Sequence, residues 1–266
     1  MTDSNVTVLI PTLTVDSFLE SAVRGSVDDG AVVIVVVDGP PQPVPAGPWD
    51  QPEVRLVFTG RRQGAATAIN MGLSHVETEY VARLDADDLT YRGRFGLQEA
   101  YLRANPDCVL VGARGLLVDA NGGGLGEYPC GSGEDVRHEL LRRNPVLHSS
   151  FFVRASDLRR VGGYSESCVR MQDYDLLLRL ALLGRIAILK DQLVGYRVHG
   201  GQTSRKLSGF VALMTLIMRE RIDLARFLGA SVVRQRAGNW IYAASQLARY
   251  AGLRRAGYER AVRTST

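Results

Sequence analysis

The run Arg83-Leu84-Asp85-Ala86-Asp87-Asp88 puts three carboxylates within four residues, directly behind an apolar stretch. Charges of one sign packed that closely repel, and a cation relieves the repulsion. Hard divalent ions take oxygen ligands, and Mg²⁺ commonly uses one or two carboxylates plus substrate phosphates. The same residues also suit a solvated turn that caps the next helix, because Asp is a good N-cap. A second acidic pair, Asp173 and Asp175, lies in Met171-Gln172-Asp173-Tyr174-Asp175-Leu176-Leu177-Leu178-Arg179-Leu180 at the head of an apolar helix. One acid suffices for capping, worth about 0.5–2 kcal/mol. A second, held near a cleft, has the chemistry of a general base. The third stretch, Tyr196-Arg197-Val198-His199-Gly200-Gly201-Gln202-Thr203-Ser204, sets a His and an Arg beside glycines. It suits a lid that meets a diphosphate or a metal, and equally a surface linker. His148, ahead of Ser149-Ser150, fits a cleft wall or a core edge.

These side chains need elements to carry them. Val6–Ile10 and Ala31–Val37 are continuous apolar runs, the pattern of central strands in a parallel sheet. Phe18–Ser26 lies between them with helical spacing. A proline-rich loop over residues 39–52 precedes a strand at Arg55–Phe58, a helix over Gly64–Val76 and a strand at Tyr80–Leu84. This order predicts a doubly wound α/β sheet, in which ligands bind at the carboxyl ends of strands. Asp38 and the pair Asp85/Asp87 fall at such ends. Further on, the periodicity predicts a helix at Leu97–Ala104, a strand at Cys108–Val118 and a hairpin turn in the glycine-rich Asn121–Gly126. Helices are expected over Glu134–Arg143 and Asp173–Leu183, and strands at Ser149–Val153 and Ile186–Leu189. From Leu207 a stripe of Phe210/Val211, Met214, Ile217/Met218, Ala225 and Leu228 reads as a helix, and a second helix is expected from Trp240 to Tyr250. The division is a catalytic body over 1–205 and a basic helical extension over 206–266.

Composition limits the classes. The 266 residues are 45% hydrophobic and 23% charged, a globular balance. Three cysteines without CxxC spacing fit neither a disulfide framework nor a zinc site. The longest apolar run, Ala31–Val37, is far short of the roughly 20 residues that span a bilayer, and no signal sequence is visible, so a cytoplasmic protein is expected. The net charge of +4 divides unevenly. Residues 205–266 hold 12 basic residues against Glu220, Asp223 and Glu259, whereas the preceding body is net acidic. All basic residues but Lys190 and Lys206 are arginine, which fits a GC-rich genome and does not by itself indicate nucleic-acid binding.

The ordered set Val8-Leu9-Ile10-Pro11-Thr12, Val35-Val36-Val37-Asp38-Gly39, Asn70-Met71-Gly72-Leu73 and Glu79 to Asp88 resembles the family 2 glycosyltransferases, which have the GT-A fold. Phe151-Phe152-Val153-Arg154, Gly162-Gly163-Tyr164 and Gln172-Asp173-Tyr174-Asp175-Leu176 extend the resemblance over residues 5–204. It implies an inverting transferase that uses a nucleotide-diphosphate sugar (UDP- or dTDP-linked) and Mg²⁺ or Mn²⁺. It also implies that Pro11 and Thr12 sit by the base, that Asp38 hydrogen-bonds it, and that Asp85 faces nucleoside or sugar hydroxyls. Asp87 would ligate the metal, Asp173 would be the catalytic base, and Arg197 and His199 would close over the diphosphate, His199 beside the metal. Three positions depart from the family pattern. Val37 replaces an acid before Asp38, Gln172 replaces an acid before Asp173, and Ile69 stands where an Arg is common, leaving Arg61 or Arg62 to compensate. The acceptor does not transfer by resemblance. The basic extension is expected to pack on the body or a sister subunit, or to touch an anionic membrane.

Other classes fit less well. A haloacid-dehalogenase-like phosphatase shares the DxD after a strand, but wants Thr or Val where Leu89 stands and a downstream Lys. A nucleotidyltransferase wants a glycine-rich loop after the first strand, and Pro11–Val15 has no glycine. An NAD enzyme wants GxGxxG there. A non-catalytic sugar-nucleotide-binding module would not need Asp85, Asp87 and Asp173 together.

Overall fold

The computed structural model describes residues 4–168, 170–199 and 210–250. Four strands, β1 (Val6–Thr12), β2 (Val32–Val37), β3 (Val54–Phe58) and β4 (Tyr80–Arg83), run parallel in the order β3-β2-β1-β4. The helices α1 (Ser17–Asp28) and α2 (Ala65–Ser74) connect them. Both sheet faces are covered, which explains the unbroken apolar runs. Val8, Ile10, Val33 and Val35 enter the core layer that includes Leu19 and Val23 of α1, while Leu9, Ile34 and Val36 enter the layer that includes Ala68 and Ile69 of α2. Gly72 lets α2 lie flush on the sheet: a Cβ there would sit 2.9 Å from Val36 Cγ2.

The remaining elements are β5 (Leu89–Thr90), α3 (Arg94–Ala104), β6 (Cys108–Val118), β7 (Gly124–Glu127), α4 (Arg137–Leu140), β8 (Phe152–Arg154), α5 (Ala155–Arg160), α6 (Gln172–Leu180) and β9 (Arg185–Arg197). From β4 the sheet continues through antiparallel β8 and β6, then β9 parallel to β6, then β5, with β7 paired to β6. The sheet is therefore mixed and flanked by helices, as expected.

Three expectations need correction. The helix over Glu134–Arg143 shrinks to α4, because Gly133 bridges Ile188 and Val136 N–H donates to the Ile186 carbonyl, tying this segment to the sheet. The strand over Ser149–Val153 begins only at Phe152, since His148–Ser150 form a 3₁₀ turn. The short strand Ile186–Leu189 is the first part of the 13-residue β9. Its exposed Lys190-Asp191 falls where the register against β6 shifts, and this breaks the apolar pattern that signalled the strand.

The C-terminal helices α7 (Phe210–Phe227) and α8 (Val232–Tyr250) are present, with α8 starting well before Trp240. Met214, Ile217, Leu224 and Ala225 of α7 are buried, as the stripe predicts, and Ile217, Leu224 and Ala225 join the core layer that holds Leu176 and Leu177 of α6. Leu207 and residues 200–204 of the expected lid lie outside the described residues.

Candidate active site

The parallel register sets the site. Thr12 pairs with Val37, so β1 and β2 end together, and β4 ends opposite Leu9, so that the acidic loop runs on beside the last residues of β1. Pro11, Thr12, Asp38 and Asp85 therefore share one edge of the sheet. Asp38 is buried and binds the loop before α2. One carboxylate oxygen accepts from Gln63 N–H at 2.7 Å and the other from Gly64 N–H at 2.8 Å. Arg62, one residue earlier, is exposed, as is Arg61.

The acidic loop after β4 is tied together by Ser149. Its Oγ accepts from Asp85 N–H at 3.2 Å, lies 3.0 Å from Asp85 Oδ2 and also contacts Asp88 Oδ2. One hydroxyl proton cannot serve two carboxylates. Burial, with the like charges of Asp85 and Asp87, pushes the Asp88 carboxyl well above the usual range. Burial also acts to raise Asp85, but Arg83, His148 and Ser149 more than offset it and hold that carboxyl low. Ser149 thus bridges Asp85, whose carboxyl is held low, and Asp88, whose carboxyl is raised. Arg83 Nη2 closes the other side of Asp85 at 2.5 Å.

Asp87 and His199 meet: the carboxylate lies 2.8 Å from Nε2. Burial and then the Asp85 charge raise the Asp87 carboxyl, and His199 opposes them. Arg197 braces the same loop. Its Nε donates to the Asp87 carbonyl at 2.7 Å, its backbone N–H to Asp88 Oδ1 at 2.9 Å, and its Nη1 to the Ala120 carbonyl. The Phe18 ring, on α1, supports both basic side chains. The Arg197 guanidinium lies 4.5 Å from the ring centroid, and the His199 ring 5.3 Å away.

Asp173 stands in the first turn of α6, where the helix dipole favours a carboxylate. Asn144 Nδ2 donates to Asp173 Oδ2 at 2.6 Å. The preceding Met171 adopts the left-handed conformation at φ 55°, the one non-glycine with positive φ among the described residues. Such strain persists where the surroundings over-determine it and is common at functional sites. His148 links the two acidic groups. Its Nε2 lies 2.9 Å from Tyr164 Oη, and the charges of both Asp85 and Asp173 act on it. Burial, then Arg83, lower its pKa, while the Asp85 and Asp173 charges oppose them. Asn70 of α2 fixes Tyr164 through two 2.8 Å hydrogen bonds, one to its carbonyl and one from its N–H. Gly163 permits this: its φ is 68°, and a Cβ would lie 2.5 Å from Asn70 Oδ1.

The donor set suits a divalent ion. Asp87 and His199 carry oxygen and nitrogen donors of the kind that would hold a divalent ion, and here they engage each other. Among the described residues no group of three or more His, Cys, Asp or Glu is gathered as a metal cage.

The model of the glycosyl transferase family 2 matches residues 7–154. The chain belongs to this family. The match takes in β1 to β8 and includes the acidic loop and Ser149. This family 2 chain is 30% identical over 172 residues to the amylovoran biosynthesis glycosyltransferase AmsE of Erwinia amylovora, covering 64% of each. It is 29% identical over 157 residues to an uncharacterized glycosyltransferase of Haemophilus influenzae, covering 58% of this chain and 57% of that one. The chain thus spans less than two thirds of the length of these curated relatives. The crystal structure of S. aureus TarS 1-349 in complex with UDP-GlcNAc shares the fold at a TM-score of 0.66 and 17% identity, over 84% of this chain and 71% of that one.

Sequence reasoning did not single out Ser149, Asn144, Arg83 or Phe18 as site residues. Ser149, Asn144 and Phe18 reach the site through tertiary contacts that no local spacing encodes, whereas Arg83 lies two residues from Asp85 within the quoted acidic run. Asn70 and Tyr164 lay within the quoted motifs, and their mutual clamp gives those motifs a physical purpose.

Proposed function

We propose that this chain is an inverting glycosyltransferase that moves a sugar from a nucleotide-diphosphate sugar to an acceptor hydroxyl. The observation that carries the reading is that one short segment ties both acidic groups together: Asn144 donates to Asp173 at 2.6 Å and Ser149, five residues on, lies 3.0 Å from Asp85. Pro11 and Thr12 flank the base, with Asp38 beside them, and Asp85 addresses hydroxyls of the nucleoside or sugar. Asp87 and His199 hold Mg²⁺ or Mn²⁺. When bound, such an ion supplies Lewis-acid stabilisation of the diphosphate charge. Arg62 is an exposed cation on the loop that Asp38 holds. Arg197 acts through Asp87 as a positioning residue.

Asp173 accepts the acceptor's hydroxyl proton as that oxygen bonds to the anomeric carbon and the carbon–oxygen bond to the diphosphate breaks. A single displacement inverts the centre. Asn144 keeps the carboxylate aimed. The UDP-GlcNAc in the TarS complex supports a nucleotide-sugar donor by analogy of fold.

The test is a panel of UDP- and dTDP-sugars with Mn²⁺, read by donor binding and by donor turnover. Asp173→Asn should lower turnover by at least about a hundredfold with donor affinity nearly unchanged. Asp87→Ala should weaken donor binding in the presence of Mn²⁺ and remove its metal dependence. Loss of binding and turnover together in Asp173→Asn would defeat the base assignment.

A further inference from the structure

Helix α8 is turned inside out. Its polar residues face the protein: Gln235 is 7% exposed and Asn239 1%. Gln235 Nε2 donates to the Leu141 carbonyl at 3.0 Å, and Asn239 Nδ2 to the Met218 carbonyl at 2.9 Å. Four of its large apolar residues face outward, Val233 at 78% exposed, Trp240 73%, Ile241 73% and Leu247 50%, while Tyr242 packs inward on the core. With exposed Ala237 and Ala244, positions 233, 237, 240, 244 and 247 follow alternating steps of four and three and form one stripe. Scattered exposed apolar residues need no explanation, but a continuous stripe on one helix marks a docking surface.

Charge selects the occupant. Arg234 and Arg236 are exposed beside the stripe, and α8 contains no acid. From Val232 to the last residue the sequence holds seven arginines and one acid, Glu259. A second copy of this surface would bring the arginines no counter-charge. Anionic lipid headgroups would, while the acyl boundary accepts Val233, Ile241 and Leu247, and Trp240 suits the interfacial zone. No helix among the described residues is long and apolar enough to cross a membrane, so the mode is surface binding.

We propose that α8 docks this protein flat on an anionic lipid bilayer through the Val233–Trp240–Ile241–Leu247 stripe and its arginines. The stripe on α7 is not the membrane element, because Met214, Ile217, Leu224 and Ala225 are buried. The reading is independent of the catalytic assignment and of the donor.

The probe is sedimentation of the full chain with vesicles of phosphatidylcholine, with and without about one third phosphatidylglycerol, at low salt. The protein should partition onto the anionic vesicles and not onto the neutral ones. A Trp240→Ser/Ile241→Ser variant and an Arg234→Glu/Arg236→Glu variant should each reduce partitioning at least about tenfold. Both should keep the parent's melting temperature, because the altered side chains are exposed. Failure to bind anionic vesicles, or equal binding by both variants, would overturn the proposal. So would a concentration-dependent dimer in light scattering that the Trp240→Ser/Ile241→Ser variant abolishes, since that assigns the face to a second copy.

Discussion

Replacing Ser149 by alanine removes the hydroxyl that joins Asp85 to Asp88. Asp88 is fully buried, and its Oδ2 then loses the Ser149 hydroxyl. A buried polar group left without a partner costs about 1–3 kcal/mol, so Ser149→Ala should lower unfolding stability by that amount in urea titrations. Ser149→Thr keeps a hydroxyl and should recover most of it. Asn144→Ala should lower turnover with little change in donor affinity, because Asn144 touches the base and not the acidic loop. A selective loss of donor binding would contradict this. At this scale the acids were legible in the sequence, since three carboxylates in four residues need an explanation wherever they fall. Ser149 and Asn144 were not, because a serine or an asparagine in a loop has many ordinary uses and only the fold shows which carboxylate it meets.

Between elements, the contact of α6 with α7 contains a titratable device. Burial, then the Asp175 charge, push the Glu220 carboxyl up to about 9 from its ordinary 4.5. Over that interval the folded chain holds a proton that the unfolded chain has released. This contribution to stability is therefore full below about pH 4.5 and is lost as pH rises through about 9. Glu220→Gln should flatten the fall of melting temperature between pH 5 and pH 9, values chosen to bracket that interval, and should stabilise most at the alkaline end. Parallel pH profiles for the two proteins would refute it. Nothing in the residue pattern signals this pair, since Glu220 reads as an ordinary polar-face residue. The parallel strands were legible because both their faces are apolar. The antiparallel half was harder: β9 carries a polar interruption where its register shifts, and β8 starts late because Ser149 and Ser150 turn inward to make hydrogen bonds.

For the molecule as a whole, the division at residue 205 marks a change of composition and charge rather than a line along which the core separates. Burying a side chain such as Met214, Ile217 or Leu224 is worth about 1.5–3 kcal/mol each, and whole domains are stable by only about 5–15 kcal/mol. Arg221 and Gln235 additionally donate to the Leu141 carbonyl. A chain ended at residue 205 should therefore fail to give a cooperative thermal transition by circular dichroism, and a sharp parent-like transition would show that the helices are dispensable. The uneven charge was visible in the sequence. Which face of α8 turns outward was not, because its buried glutamine and asparagine make sense only once the carbonyls they satisfy are known.

The Asp38 clamp has a consequence for ligand capture. Its carboxylate fixes the backbone of Gln63 and Gly64, and Thr59 Oγ1 donates to the Arg61 carbonyl at 2.7 Å. The two exposed arginines between these anchors therefore start from a backbone already in place. An arriving anion has only to still their side chains, and the entropy of arranging the loop has been lost beforehand, during folding.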